Sequence, residues 1–103
     1  MEKHQILEIV DFDNARPVTK ILHNSNTLRL ALFCLQAGQT IAPHTSPSQV
    51  AFYTIQGQGE ITVGKERIPA KTGSLITASP QEPHGLRAHE PMVVLAAIAP
   101  APD

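Results

Sequence analysis

At 103 residues the chain has the size of one domain, in which folding buries about 65% of the unfolded surface, so a single domain with a hydrophobic core of its own is expected over residues 1–103. Hydrophobic residues make up 42% and charged residues 17%, and nine prolines with six glycines punctuate them, a composition for many short strands rather than long helices. A formal charge of -1 without a lysine or arginine cluster argues against nucleic acid as a partner, and no apolar run approaches the ~20 residues of a membrane span.

The amino-terminal MEKHQILEIVDFD lacks a secretory apolar region with a small-residue cleavage site, so a cytoplasmic location is expected. Ile6, Leu7, Ile9 and Val10 read as a first strand-like run, ended by the turn-favouring cluster Asp11 to Asn14. Pro17 to His23 is the next strand, and its proline, which donates nothing to a ladder, suits a sheet edge. After the turn Asn24-Ser25-Asn26, the run Thr27 to Leu35 places Leu28, Leu30, Leu32 and Cys34 on one face by period two. Arg29, Ala31, Phe33 and Leu35 take the other face, so the strand passes from half exposed to fully buried. Cys34 is the only cysteine and reads as a small buried apolar side chain; no disulfide and no paired-cysteine zinc signature is available.

Gly38-Gln39 is a turn, from which the chain returns through Thr40, Ile41 and Ala42 to His44. Pro43 and Pro47 bracket His44-Thr45-Ser46 as an ordered loop or strand end. Val50 to Gln56 is rich in β-branched and aromatic residues and forms a strand closed by Gly57; Tyr53 and Thr54 lie on its opposite faces, one packing and the other lining a cavity. Gly59 to Val63 and Glu66 to Pro69 form a hairpin through Gly64-Lys65. Ser74 to Ala78 is a brief strand, Ser79 to Pro83 a rigid loop that delivers His84, and Met92 to Ala99 a continuous apolar strand. Short strands at this spacing predict an antiparallel sandwich or barrel.

Gly38 to Gly57, GQTIAPHTSPSQVAFYTIQG, resembles the first motif of the cupin superfamily, G-x5-H-x-H-x3-E-x6-G. Both glycines and the first histidine, His44, match; Ser46 stands at the second histidine position and Val50 at the glutamate. Gly73 to Ala88, GSLITASPQEPHGLRA, resembles the second motif, with Gly73 and His84 matching and Ser79, Gln81 and Ala88 replacing its proline, glycine and asparagine. The resemblance covers about residues 30–98. It implies an all-β fold, an antiparallel double-stranded β-helix or jelly-roll barrel, with His44 and His84 facing one barrel mouth.

Two converging imidazoles can bind a divalent metal or move protons, but a catalytic zinc has three protein ligands and a non-haem iron oxygenase two histidines and a carboxylate. His44 and His84 are therefore expected as ligands of at most one weakly bound metal (zinc, nickel, iron or manganese), with His44, Ser46, Val50 and His84 lining the cavity; Ser46, a poor ligand, also reads as a loop hydrogen-bonder. Gln49 could lend an amide oxygen only if a bulge reversed its facing. His89 reads as a solvated loop histidine, His4 and His23 have no supporting context, and Glu60, Glu66 and Glu82 are dispersed solvated charges. The reading is a small cupin-fold protein that binds a small molecule in its barrel, with enzyme activity not implied. The alternatives are a metal-dependent dioxygenase, isomerase or decarboxylase using His44 and His84, and a module that acts by association. Apolar residues on both faces of the Leu28 to Leu35 and Met92 to Ala99 runs predict a homodimer.

Overall fold

Period-two alternation gives each strand one face to bury, and the strands meet that demand as two antiparallel sheets laid face to face. The computed structural model describes residues 1–102. Strands β1 (Val18–Asn24), β2 (Arg29–Leu35), β9 (Met92–Ala99), β4 (Gln49–Gln56) and β7 (Leu75–Ala78) form one sheet in that order. The other has the order β3 (Thr40–His44), β8 (His84–Ala88), β5 (Gln58–Val63) and β6 (Glu66–Lys71). Every pairing is antiparallel. The fold is all-β, an antiparallel jelly-roll barrel, as strand spacing and motif resemblance predict.

β9 lies at the centre of the five-stranded sheet, paired with β2 from Arg29↔Ile98 to Leu35↔Met92 and with β4 on its other side. Its continuous apolar run follows from that position, because both of its faces are covered. Met92, Val94 and Ala96 join Leu35, Val50 and Phe52 in the core between the sheets. Val93 instead joins Leu22, Leu32 and Cys34 in a second core on the outside of the sheet. Fully burying a side chain of this kind stabilises by roughly 1.5–3 kcal/mol, so β9 contributes to both cores at once.

The second core is covered by the chain's own amino-terminal residues, and here the structure corrects the strand expected at Ile6 to Val10. Ile6–Ile9 is one helical turn, α1. Ile6, Ile9 and Val10 stand at i, i+3 and i+4, the helical rather than the strand spacing, and with Phe12 they pack on that core while Leu7 faces solvent. Lys20 Nζ donates to the Ile9 carbonyl at 2.7 Å, His4 Nε2 lies 2.8 Å from the Leu22 carbonyl, and His23 pairs with Glu2. That histidine holds the Glu2 carboxyl below the usual carboxylate range. Burial under this cover pushes the Cys34 thiol up.

Phe12 is the largest side chain of the cover and is half-buried. Phe12→Ala is expected to lower the urea midpoint at an unchanged m-value by about 1–2 kcal/mol of stability, less than the ~3–5 kcal/mol of a fully buried phenylalanine. Cys34 should then react faster with a thiol reagent, and an unchanged rate would show that the segment does not protect it.

Candidate functional site

β3 and β8 are neighbours, and their ladder places His44 directly opposite His84. It runs Thr40↔Arg87 and Ile41↔Leu86, breaks, and resumes at His44↔His84, so that Ala42 and Pro43 together face Gly85 alone. Such a bulge changes which side chains point inward. Ile41 packs against the inter-sheet core, and strict alternation would then turn residue 44 outward. The extra residue returns His44 to the face it shares with His84. Gly85 makes the bulge fit, since a Cβ there would meet the Ile41 carbonyl oxygen at 2.6 Å and the Pro43 nitrogen at 2.9 Å.

The loop before β8 is fixed by its own hydrogen bonds. The Ser79 amide donates to Glu82 Oε1 at 3.0 Å, and the Glu82 amide to the Ser79 carbonyl at 3.1 Å. Gln81 takes a left-handed φ of 66°, and its amide donates 2.7 Å to the Ser46 carbonyl, tying the two histidine-bearing loops together. The Ser48 hydroxyl, fully buried, donates to the Pro100 carbonyl at 2.5 Å and anchors the other loop to the end of β9.

His84 is 5% exposed and His44 lies at the mouth, with ring centroids 4.5 Å apart in an edge-to-face arrangement. The Phe52 ring stands 5.7 Å from His84, tilted against it. His84 Nδ1 is 3.0 Å from the Glu82 carbonyl oxygen, which can only accept, so Nδ1 carries the proton and Nε2 keeps its lone pair in the neutral ring. His44 Nδ1 makes the same kind of contact, at 3.4 Å, with the Ala42 carbonyl. Between the rings and the sheet opposite is a pocket of about 40 Å³, walled chiefly by Phe33, Ile41, Val50, Phe52 and Ile98.

His44, Val50 and His84 thus come together, and two other expected residues do not. Ser46 is outside the pocket because its hydroxyl accepts from the Ser48 amide at 3.3 Å, within its own loop. Gln49 is exposed one position before inward-facing Val50, and the irregularity in β4 falls between Thr54 and Gln56, too far along the strand to turn it. Neither Tyr53 nor Thr54 lines the pocket: Tyr53 is 44% exposed on the outer face, and Thr54 is buried elsewhere in the barrel. His89 lies 3.5 Å from Glu60, away from the pocket. Phe52 was available to sequence reasoning, since it shares a face with Val50 by period two. The buried hydroxyl of Ser48 carries no such signal.

Among the described residues no three histidine, cysteine, aspartate or glutamate side chains are grouped to hold a metal. Two imidazoles opposite a valine fall short of the three protein ligands of a catalytic zinc and of the two-histidine, one-carboxylate set of non-haem iron. The donor set does not fit a firmly held resident metal.

A two-sheet β-helix with histidines meeting at one mouth defines a class, and comparison with known proteins agrees. The cupin-domain family profile matches residues 31–98, and the chain belongs to the cupin family. An RmlC-like cupin protein from Desulfovibrio desulfuricans is similar at 35% identity, covering 97% of each chain with a TM-score of 0.90. A protein with a double-stranded β-helix domain from Klebsiella pneumoniae is 25% identical, covering 95% of this chain and 89% of its own, with a TM-score of 0.88. Salicylate 1,2-dioxygenase from Pseudoaminobacter salicylatoxidans shares the fold at 16% identity and a TM-score of 0.76, over 84% of this chain and 27% of its own. No curated protein matches the chain.

Gly85→Ala should displace the bulge and with it His44. A stability loss of about 1–3 kcal/mol is expected, with amide shifts concentrated at residues 41–46 in a heteronuclear NMR spectrum. Shifts confined to β8 would show that the bulge does not depend on Gly85.

Proposed function

We propose that this cupin is a binding protein for a small molecule that enters the pocket between His44 and His84, and that it does so without a firmly held metal. The observation that carries the reading is the composition of the pocket wall: two imidazoles set in an otherwise apolar surface, with Val50 where a carboxylate would be needed for metal. Binding sites of this kind combine apolar area with a few orienting polar groups. At about 40 Å³ the pocket suits only a compact ligand or one end of a larger one.

The free Nε2 of each ring favours a second reading, in which water completes the coordination of a bound divalent metal and the protein is an enzyme of the dioxygenase, isomerase or decarboxylase kind. Two neutral imidazoles bring no negative charge to offset a dication, which weighs against that reading. Titration calorimetry with zinc or nickel separates the readings. Weak or undetectable uptake is expected for the native chain, and a gain of at least tenfold for Val50→Glu, which adds a carboxylate inside the pocket. Tight binding of one metal per native chain, abolished by His84→Ala, would establish the second reading instead.

A homodimer also belongs to this proposal, on narrower grounds than apolar runs alone. Residues 6–12 already cover part of the outer face of the five-stranded sheet. Tyr53 and Leu75, paired across β4 and β7, remain 44% and 65% exposed there, with Leu95 beside Tyr53 in the β4–β9 register. A second copy is the occupant proposed for this strip, because an isologous contact covers the same apolar residues on both chains. Sedimentation at tens of micromolar is expected to show a dimer that Leu75→Glu converts to monomer; a native monomer at that concentration would end the idea.

A further inference from the structure

The hydrogen-bonding capacity of the pocket narrows the ligand further than its size does. Of the side chains that line it, only those of His44 and His84 carry polar atoms. Each ring directs Nδ1 to a backbone carbonyl, of Ala42 and Glu82 respectively, and a carbonyl has no hydrogen to give. In their neutral form both rings therefore have Nε2 left as an acceptor. The pocket side chains offer two acceptors, no free donor and no lysine or arginine.

We infer that the ligand is an uncharged compound with a compact apolar body and at least one O–H, such as a small alcohol or a phenol, which donates its hydrogen to Nε2 of His84 or His44. This rests on the proposed binding function and specifies its ligand class. While both rings are neutral, a carboxylate or phosphate would bring a further acceptor to side chains that have no free donor, and would lose its hydration without a lysine or arginine to offset it. A pure hydrocarbon would fill the apolar wall but shut the free nitrogen of His84 off from water without a partner, which is itself unfavourable. A hydroxyl compound does both jobs. Its apolar part meets Phe33, Val50, Phe52 and Ile98, and its hydrogen meets the imidazole.

Two histidines at a cavity mouth are commonly taken to favour anions or metals, and both need something this wall lacks. The Glu82 carbonyl, held in the closed turn from Ser79, fixes which His84 nitrogen is free. The ligand preference is thereby built into the loop.

The test uses the native protein, labelled with nitrogen-15, and three probes of similar ring size: phenol, toluene and benzoate. Long-range proton–nitrogen spectra report each histidine's protonated nitrogen, and titration reports affinity. Phenol is expected to move the Nε2 signal of His84, or of His44, together with the amides of Phe52 and Gly85. It should bind roughly three- to tenfold more tightly than toluene, the value of one hydrogen bond, with benzoate weakest. His84→Phe, which keeps a ring in place, should remove the preference for phenol and leave toluene binding. Equal affinity for phenol and toluene, or benzoate as the tightest probe, would overturn the ligand class while leaving the pocket as a binding site. If no probe perturbs any pocket amide, the binding function falls with it.

Discussion

A single-residue excess in β3, where Ala42 and Pro43 stand opposite Gly85 alone, sets which way His44 points. Alternation along a strand is rigid, so one residue more or fewer exchanges the inward and outward sets completely. Pro43 suits the place because it has no N–H to leave unpaired in an interrupted ladder, and β3 is an edge strand. Gly85 suits it because the bulged backbone passes where a Cβ would be. The facing imidazoles are therefore a consequence of backbone packing between two strands rather than of an attraction between the rings.

The second constraint is that the five-stranded sheet is apolar on both sides. A face that wide cannot be left to water, and the short chain covers part of it with its own first dozen residues. Those residues gain little from helix propensity, because a four-residue turn is far below the length at which helices persist alone in water. Their order comes from the apolar contacts of Ile6, Ile9, Val10 and Phe12, reinforced by Lys20 and His4 at backbone carbonyls. The cover and the pocket lie on opposite sides of the same sheet. Leu32 and Cys34 look outward from β2 while Phe33, between them, reaches the pocket wall. A disturbance of either core can thus travel through one strand to the other.

Most of the strands were legible because short apolar alternation bounded by glycine and proline has few other solutions. The β5–β6 hairpin, the edge position of β1 and the continuous apolar β9 all follow from that rule. Ile6 to Val10 misled because four apolar residues in a run of five satisfy a strand and a helical turn alike, and only the sheet beneath them decides. At the site, His44 and His84 were singled out by motif resemblance, but their meeting was not readable from spacing, since it depends on an irregular register. Ser46, bracketed by Pro43 and Pro47, belongs to a loop that uses its hydroxyl internally, as a loop hydrogen-bonder does, and so leaves the pocket although the motif count sets it beside His44. Gln49 followed ordinary alternation and faced outward.

The contact between His84 and the Glu82 carbonyl bears on how the site as a whole is understood. In metal centres a bond from the second ring nitrogen to a carbonyl orients the imidazole and raises its basicity toward the metal. Here the same bond is present, yet the wall opposite is Val50 and Phe52. The bond's effect does not need a metal to matter. It fixes Nε2 as the free acceptor of a ring that is almost wholly buried, and cutting that acceptor off from water without giving it a new partner is costly. Water can satisfy it in a pocket of about 40 Å³, which exceeds the ~10–15 Å³ that one molecule requires. A ligand of the proposed kind would have to displace water from an apolar pocket while matching its hydrogen bond to His84, and this pairing of requirements, more than cavity size alone, would set the chemical selectivity of the barrel mouth.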